Sequence, residues 1–195
     1  MQTDHADHIE RFVQSATQAH KGAAARAALF RAIRDLPYAT DGAHDAVTLV
    51  RLGRGDCLAK ADLLLRGLGL LGYQARRVRW LYHLPNQPPE VALLPSREDV
   101  HTAVEVEISG RWLLVDATHD PPLARGGLTV SEWDGIGETV PAYPPQGPLW
   151  REGRDDAMIA IALATIAARF TGLPSEQSAP YRRAFNTWLA VLRER

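Results

Sequence analysis

The chain has 195 residues, of which 46% are hydrophobic and 23% charged, enough to bury a core within a single folded unit. Its 22 basic and 23 acidic residues leave a net charge of −1, so nothing in the composition points to nucleic acid or to an anionic membrane surface. One cysteine excludes an internal disulfide and a cysteine-rich zinc site. The polar start of the chain and the absence of a long apolar run predict a cytoplasmic protein without a membrane span.

Residues His5 to His20 carry Ile9, Phe12, Val13 and Ala16 at helical spacing and predict a first helix. Lys21-Gly22 interrupts it. A second helix follows, with Ala25, Ala28, Leu29, Ala32 and Ile33 on one stripe, and Leu36-Pro37 ends it. Tyr38 to Val50 reads mostly as loop. A third helix begins at Asp56, a suitable N-cap, and turns Cys57, Ala61, Leu64, Leu65 and Leu68 inward before Gly69 and Gly72 stop it. Ala75 to Tyr82 alternates and predicts a strand, and the proline-bearing stretch His83 to Val100 a long loop. His101–Ile108 and Arg111–Thr118 predict two strands joined at Ser109-Gly110. His119 to Glu152 reads as irregular, with a short strand near Leu128 to Val130. Two helices close the chain: Asp155 to Thr171, apolar enough to be covered by the core, and Pro180 to Arg193. Helices, then a meander of strands, then helices predict an α+β fold.

The chemistry centres on Cys57. A thiol at a helix start meets the unpaired backbone N–H groups and the positive end of the helix dipole, which favour thiolate. A cysteine nucleophile needs a base, and the base needs an orienting group. The hairpin selects both. With a two-residue turn, Ala103 lies opposite Asp116 and His101 opposite Thr118, so His101 and Asp116 are diagonal neighbours on one face. The other face, with Val104, Val106, Ile108, Leu113 and Val115, is the more apolar, so the sheet must be covered on both sides. Asp56 beside the thiol opposes the thiolate unless it is engaged as a cap. His44 and His83 read as exposed, His119 as a turn residue, Trp80 and Trp112 as core, and Arg76, Arg77 and Arg79 as a solvated strand face. The tripeptide Arg54-Gly55-Asp56 reads as incidental, because the aspartate is needed as a cap.

Gly53-Arg54-Gly55-Asp56-Cys57, Gly72-Tyr73-Gln74-Ala75-Arg76, His101-Thr102-Ala103-Val104 and Trp112-Leu113-Leu114-Val115-Asp116-Ala117-Thr118 together resemble the transglutaminase-like superfamily. Arg31 to Tyr38 also resembles the helix end that precedes this core. The resemblance implies a papain-like fold, with the cysteine helix packed on an antiparallel sheet and N- and C-terminal helices added. It covers about residues 24–118 of a single domain spanning 1–195. It implies a Cys57–His101–Asp116 triad acting on a peptide, amide or acyl-thioester carbonyl through an acyl-enzyme, without cofactor or metal. Hydrolysis and acyl or aminoacyl transfer in a natural-product pathway differ in what attacks the thioester. A non-catalytic binding module on the same scaffold is the rival of another class. The backbone N–H of Cys57 is the expected oxyanion donor, and Tyr38, Asp56 and His83 are further candidates for the oxyanion or substrate side. Ala103 stands where many members carry an aromatic residue, which alters the expected substrate-side wall.

Overall fold

The computed structural model describes residues 2–84, 98–171 and 175–194. Helix α1 (Gln2–Thr17) lays Ile9 and Val13 against helix α2 (Gly22–Arg34), whose Leu29, Phe30 and Ile33 are fully buried. The stretch Tyr38 to Val50 is not mostly loop. It forms a short strand β1 (Tyr38–Ala43) and most of helix α3 (Ala46–Leu52). β1 bridges only to Gly55, in parallel, and sits outside the main sheet. Its backbone pairs instead with the approach to Cys57: Gly55 N–H donates to Pro37 O and Asp56 N–H to Ala43 O. The approach has no room for side chains. A Cβ on Gly55 would meet Ala43 O at 2.8 Å, and one on Gly42 would meet Arg54 O at 2.8 Å. Helix α3 is capped by Asp45, which accepts from Thr48 N–H, and ended by Gly53 in the left-handed region.

Helix α4 (Cys57–Leu70) begins at its predicted cap, with Asp56 accepting from Ala59 N–H. Leu63, Leu64 and Leu68 are buried against α1, α2 and the sheet. The sheet runs β4-β3-β2-β5 and is antiparallel throughout. Its strands are β2 (Ala75–His83), β3 (Glu98–Ile108), β4 (Arg111–Val115) and β5 (Trp150–Arg151). The predicted hairpin register is present: Ile108 pairs with Arg111 and Val104 with Val115. Ser109 and Gly110 both take positive φ, the turn geometry whose twist matches the strands. The ladder stops at Val115, three residues short of the expected end at Thr118. Strands β2 and β3 extend to His83 and from Glu98, which shortens the expected loop; its middle, 85–97, lies outside the described residues.

Both sheet faces are covered. Val104, Val106, Leu113 and Val115 face α4. Trp80, Tyr82 and Ala103 are covered by Ala142 and Tyr143, from the irregular stretch after the hairpin. No strand forms at Leu128 to Val130; the short strand of that region is β5, at the sheet edge. Helix α5 (Asp156–Thr171) packs Ile159 and Ala162 on Trp150, Leu81 and Val100, yet leaves Met158 and Ile161 exposed. Helix α6 (Ser175–Glu194) packs on β1 and on a 3-10 turn at Pro121–Gly126.

Two further expectations are corrected. Trp112 is exposed at the far end of the face it shares with Leu114, beyond the cover of Ala142 and Tyr143, where the Arg76 guanidinium stacks on its ring at 3.9 Å. Arg76 and Arg77 are half-buried and paired to buried carboxylates, Arg76 to Glu105 and Arg77 to Asp62; Arg79 lies 3.8 Å from Glu152. Burying Glu105 and Asp62 requires such partners.

Candidate active site

The histidine and aspartate selected by the hairpin meet. His101 Nε2–H donates to Asp116 Oδ2 at 2.9 Å, and both side chains are fully buried. Asp116 is held by three further donors: Ala142 N–H at 2.7 Å, Thr118 Oγ1 at 2.6 Å and Thr118 N–H at 3.2 Å. Burial alone would raise the Asp116 carboxyl. The His101 charge and these hydrogen bonds outweigh it and hold the group at about 2. Three aromatic rings fix the imidazole edgewise, Trp80 at 4.8 Å, Tyr143 at 5.0 Å and Tyr82 at 5.9 Å. With Nε2 committed to Asp116, Nδ1 is the ring nitrogen without a hydrogen-bond partner.

Cys57 reaches β3 where β4 has ended. The backbone N–H of Thr102, the residue after His101, acts on its sulfur and favours the thiolate. The expected stabilisation of thiolate is overturned. Burial, and then the negative charge of Asp56, push the Cys57 thiol well above its ordinary value; the Thr102 N–H opposes them without prevailing. The helix start is there, but Cys57 is half-buried against α6.

Asp56 spans two partners, the Ala59 N–H and His44 Nδ1 at 2.6 Å. His44 is exposed, as expected. His83 is exposed too and lies 3.4 Å from Glu98, away from the His101–Asp116 pair. Tyr38 is buried and packs with Tyr181, Phe185 and Cys57.

Several residues escaped the sequence reading. His119 is buried rather than in an open turn. Its Nδ1 pairs with Thr129 O at 2.8 Å and its Nε2 with the Tyr143 hydroxyl at 2.9 Å. Burial lowers His119 to about 4. Asp120 accepts from Tyr38 N–H and from Arg193, whose Nη2 also donates to Tyr38 O, so α6 is tied to β1 beside the site. Lys60, one turn after Cys57, is fully buried and donates to Arg34 O at 2.9 Å and Thr118 O at 2.7 Å. Its spacing from Cys57 and Leu64 put it on the inward stripe; only its charge argued for the surface.

A cavity of about 320 Å³ adjoins these groups. Tyr38, Tyr82, Tyr143, Tyr181 and Phe185 form its aromatic walls. Cys57 packs against the Tyr38–Tyr181–Phe185 side.

A cysteine helix on an antiparallel sheet, with further helices at each end of the chain, is the papain-like, transglutaminase-like architecture. The chain belongs to the transglutaminase-like superfamily, whose family model matches residues 7–117. Among solved structures it is similar to one described as a TGase, with 14% identity, a TM-score of 0.45, and coverage of 60% of this chain and 32% of that one. It is also similar to a "putative cysteine protease" from Cytophaga hutchinsonii, with 18% identity, a TM-score of 0.44, and coverage of 75% and 48%. The chain thus spans a third to a half of those proteins' lengths. No curated protein matches its sequence. No helix among the described residues is long and apolar enough to cross a membrane.

Proposed function

We propose that Cys57, His101 and Asp116 form a catalytic triad that opens an amide, peptide or thioester carbonyl through an acyl-enzyme. The observation that carries this reading is the buried His101–Asp116 pair with Nδ1 left unpaired, on the strand whose next N–H favours the Cys57 thiolate. A binding module has no use for a histidine oriented by four contacts and one free nitrogen, so the enzyme reading is favoured.

The raised thiol sets the order of events. Cys57 rests protonated, and attack requires a base at that moment. As Sγ bonds to the carbonyl carbon, His101 Nδ1 takes the thiol proton. The carbonyl π electrons move to oxygen, where the Cys57 N–H at the helix start is the donor in reach. Asp116 stabilises the imidazolium and holds its tautomer. His101 then returns the proton to the leaving nitrogen or sulfur, the bond to it breaks, and the acyl group stays on Cys57. Water or an amine reverses the sequence.

The second reading is acyl transfer to an amine, which differs from hydrolysis only in what attacks the thioester. Helix α6 bounds the cavity and so belongs to the same working unit as the triad. The partners are a peptide, amide or acyl-thioester substrate and no nucleic acid or membrane, and the location is cytoplasmic. The test is capture of an acyl group on Cys57 and its loss in His101→Ala.

A further inference from the structure

The cavity beside Cys57 is lined mainly by aromatic rings and carboxylates. Five aromatic side chains line it, and each ring face carries partial negative charge. Two carboxylates, Glu98 and Asp99, also line it, against one cation, Arg182. Glu98 lies 3.4 Å from His83. Asp99 differs. Its Oδ1 accepts from the N–H of the next residue, Val100, at 2.7 Å, and no basic side chain among the described residues pairs with it. Burial raises the Asp99 carboxyl, against the Val100 N–H and the nearby His101 imidazole.

The tyrosine hydroxyls add to this. Thr129 O can only accept, so His119 Nδ1 carries the proton toward it. His119 is buried and neutral, so its Nε2 accepts from Tyr143 O–H. The Tyr143 proton is then spent, and what its oxygen offers a neighbour is a lone pair.

We infer that this cavity is the subsite for an organic cation, a primary ammonium or guanidinium carried by the substrate, held between the Asp99 carboxylate and the tyrosine faces. This rests on the triad reading only in treating the cavity's occupant as substrate; the binding itself needs no chemistry at Cys57. The bound cation is an anchor and not the attacking amine, since a protonated nitrogen has no lone pair to give. A volume of about 320 Å³ suits one basic side chain or a small amine and excludes a bulky partner. Aromatic walls and a desolvated carboxylate are how proteins hold such groups.

The experiment is calorimetric titration of the full chain with n-butylammonium, n-butylguanidinium, n-butanol and butyrate. The cations should bind about tenfold or more tightly than n-butanol, and butyrate least. Asp99→Asn, which keeps the acceptor for Val100 N–H, should abolish the preference for charge while the variant melts as the parent does. Equal binding of the cations and n-butanol, tighter binding of butyrate, or an unchanged preference in Asp99→Asn each overturns the inference. The comparison of ligands on the parent protein stands even if the variant folds poorly. Cation binding without any acyl group appearing on Cys57 would sink the triad and leave the subsite standing; acylation without cation preference would do the reverse.

Discussion

Lys60 gives a test with a worked magnitude. The ordinary amine value is 10.5, and burial, against the pull of Asp120, brings Lys60 down to about 7. Between those values the unfolded chain holds a proton that the folded chain lacks. Stability therefore rises with pH through that window, by up to about 1.4 kcal/mol per pH unit. The penalty is complete below the folded value and gone above the unfolded one. Integrated from about pH 7.5 to about pH 9.5, the gain is about 2.5 kcal/mol. Lys60→Met removes the titration and keeps the volume, at the expense of the bonds to Arg34 O and Thr118 O. Urea unfolding of parent and variant at both pH values isolates the residue, because the other titrating groups cancel in the difference. The parent should gain about 2.5 kcal/mol more than the variant over that interval. The same pH dependence in both proteins would refute the reasoning, since Lys60 would then keep its proton throughout.

Asp116→Asn should lower kcat/KM for a p-nitrophenyl ester by about a thousandfold with the fold retained, because a neutral partner no longer holds the imidazolium or its tautomer. It should also flatten the acid limb of stability: a carboxyl held at about 2 instead of 3.8 contributes about 2 kcal/mol above pH 4, lost as pH falls toward 2. Gly135→Ala should lower the Tm by roughly 6–12 °C, for about 3 kcal/mol of strain. Gly135 sits at φ +82 with a Cβ position only 2.2 Å from Ala23 O, whereas Gly153, at φ +83 with nothing within 4 Å, should tolerate alanine at a third of that effect. Equal losses at both glycines would assign the effect to backbone conformation alone.

The His101–Asp116 pair was legible because a strand has period two and a two-residue turn admits one register. Those two constraints place residues fifteen apart on one face without any knowledge of the rest of the chain. The helix start was legible because Asp56 has the chemistry of a cap. The thiol's electrostatics were not, since the helix dipole is local while burial comes from Tyr181 and Phe185, more than a hundred residues away. The aromatic wall escaped for the same reason: Tyr143 lies in a segment with no period to read. Strand β1 was hidden because its bonds go to the glycine loop around Gly55 rather than to a neighbouring strand. Lys60 was hidden by its own charge. Trp112 misled in the opposite sense, being large and apolar at the end of a face where an arginine stacks on it.

The central claim is that Cys57 accepts an acyl group with His101 as its base. The most direct measurement is intact-protein and peptide mass spectrometry after mixing the chain with an acyl thioester or a p-nitrophenyl ester. The account predicts one acyl addition, located on the peptide that contains Cys57, formed about a hundredfold or more slowly in His101→Ala. No acyl group on that peptide, or the same rate of acylation without His101, would contradict it.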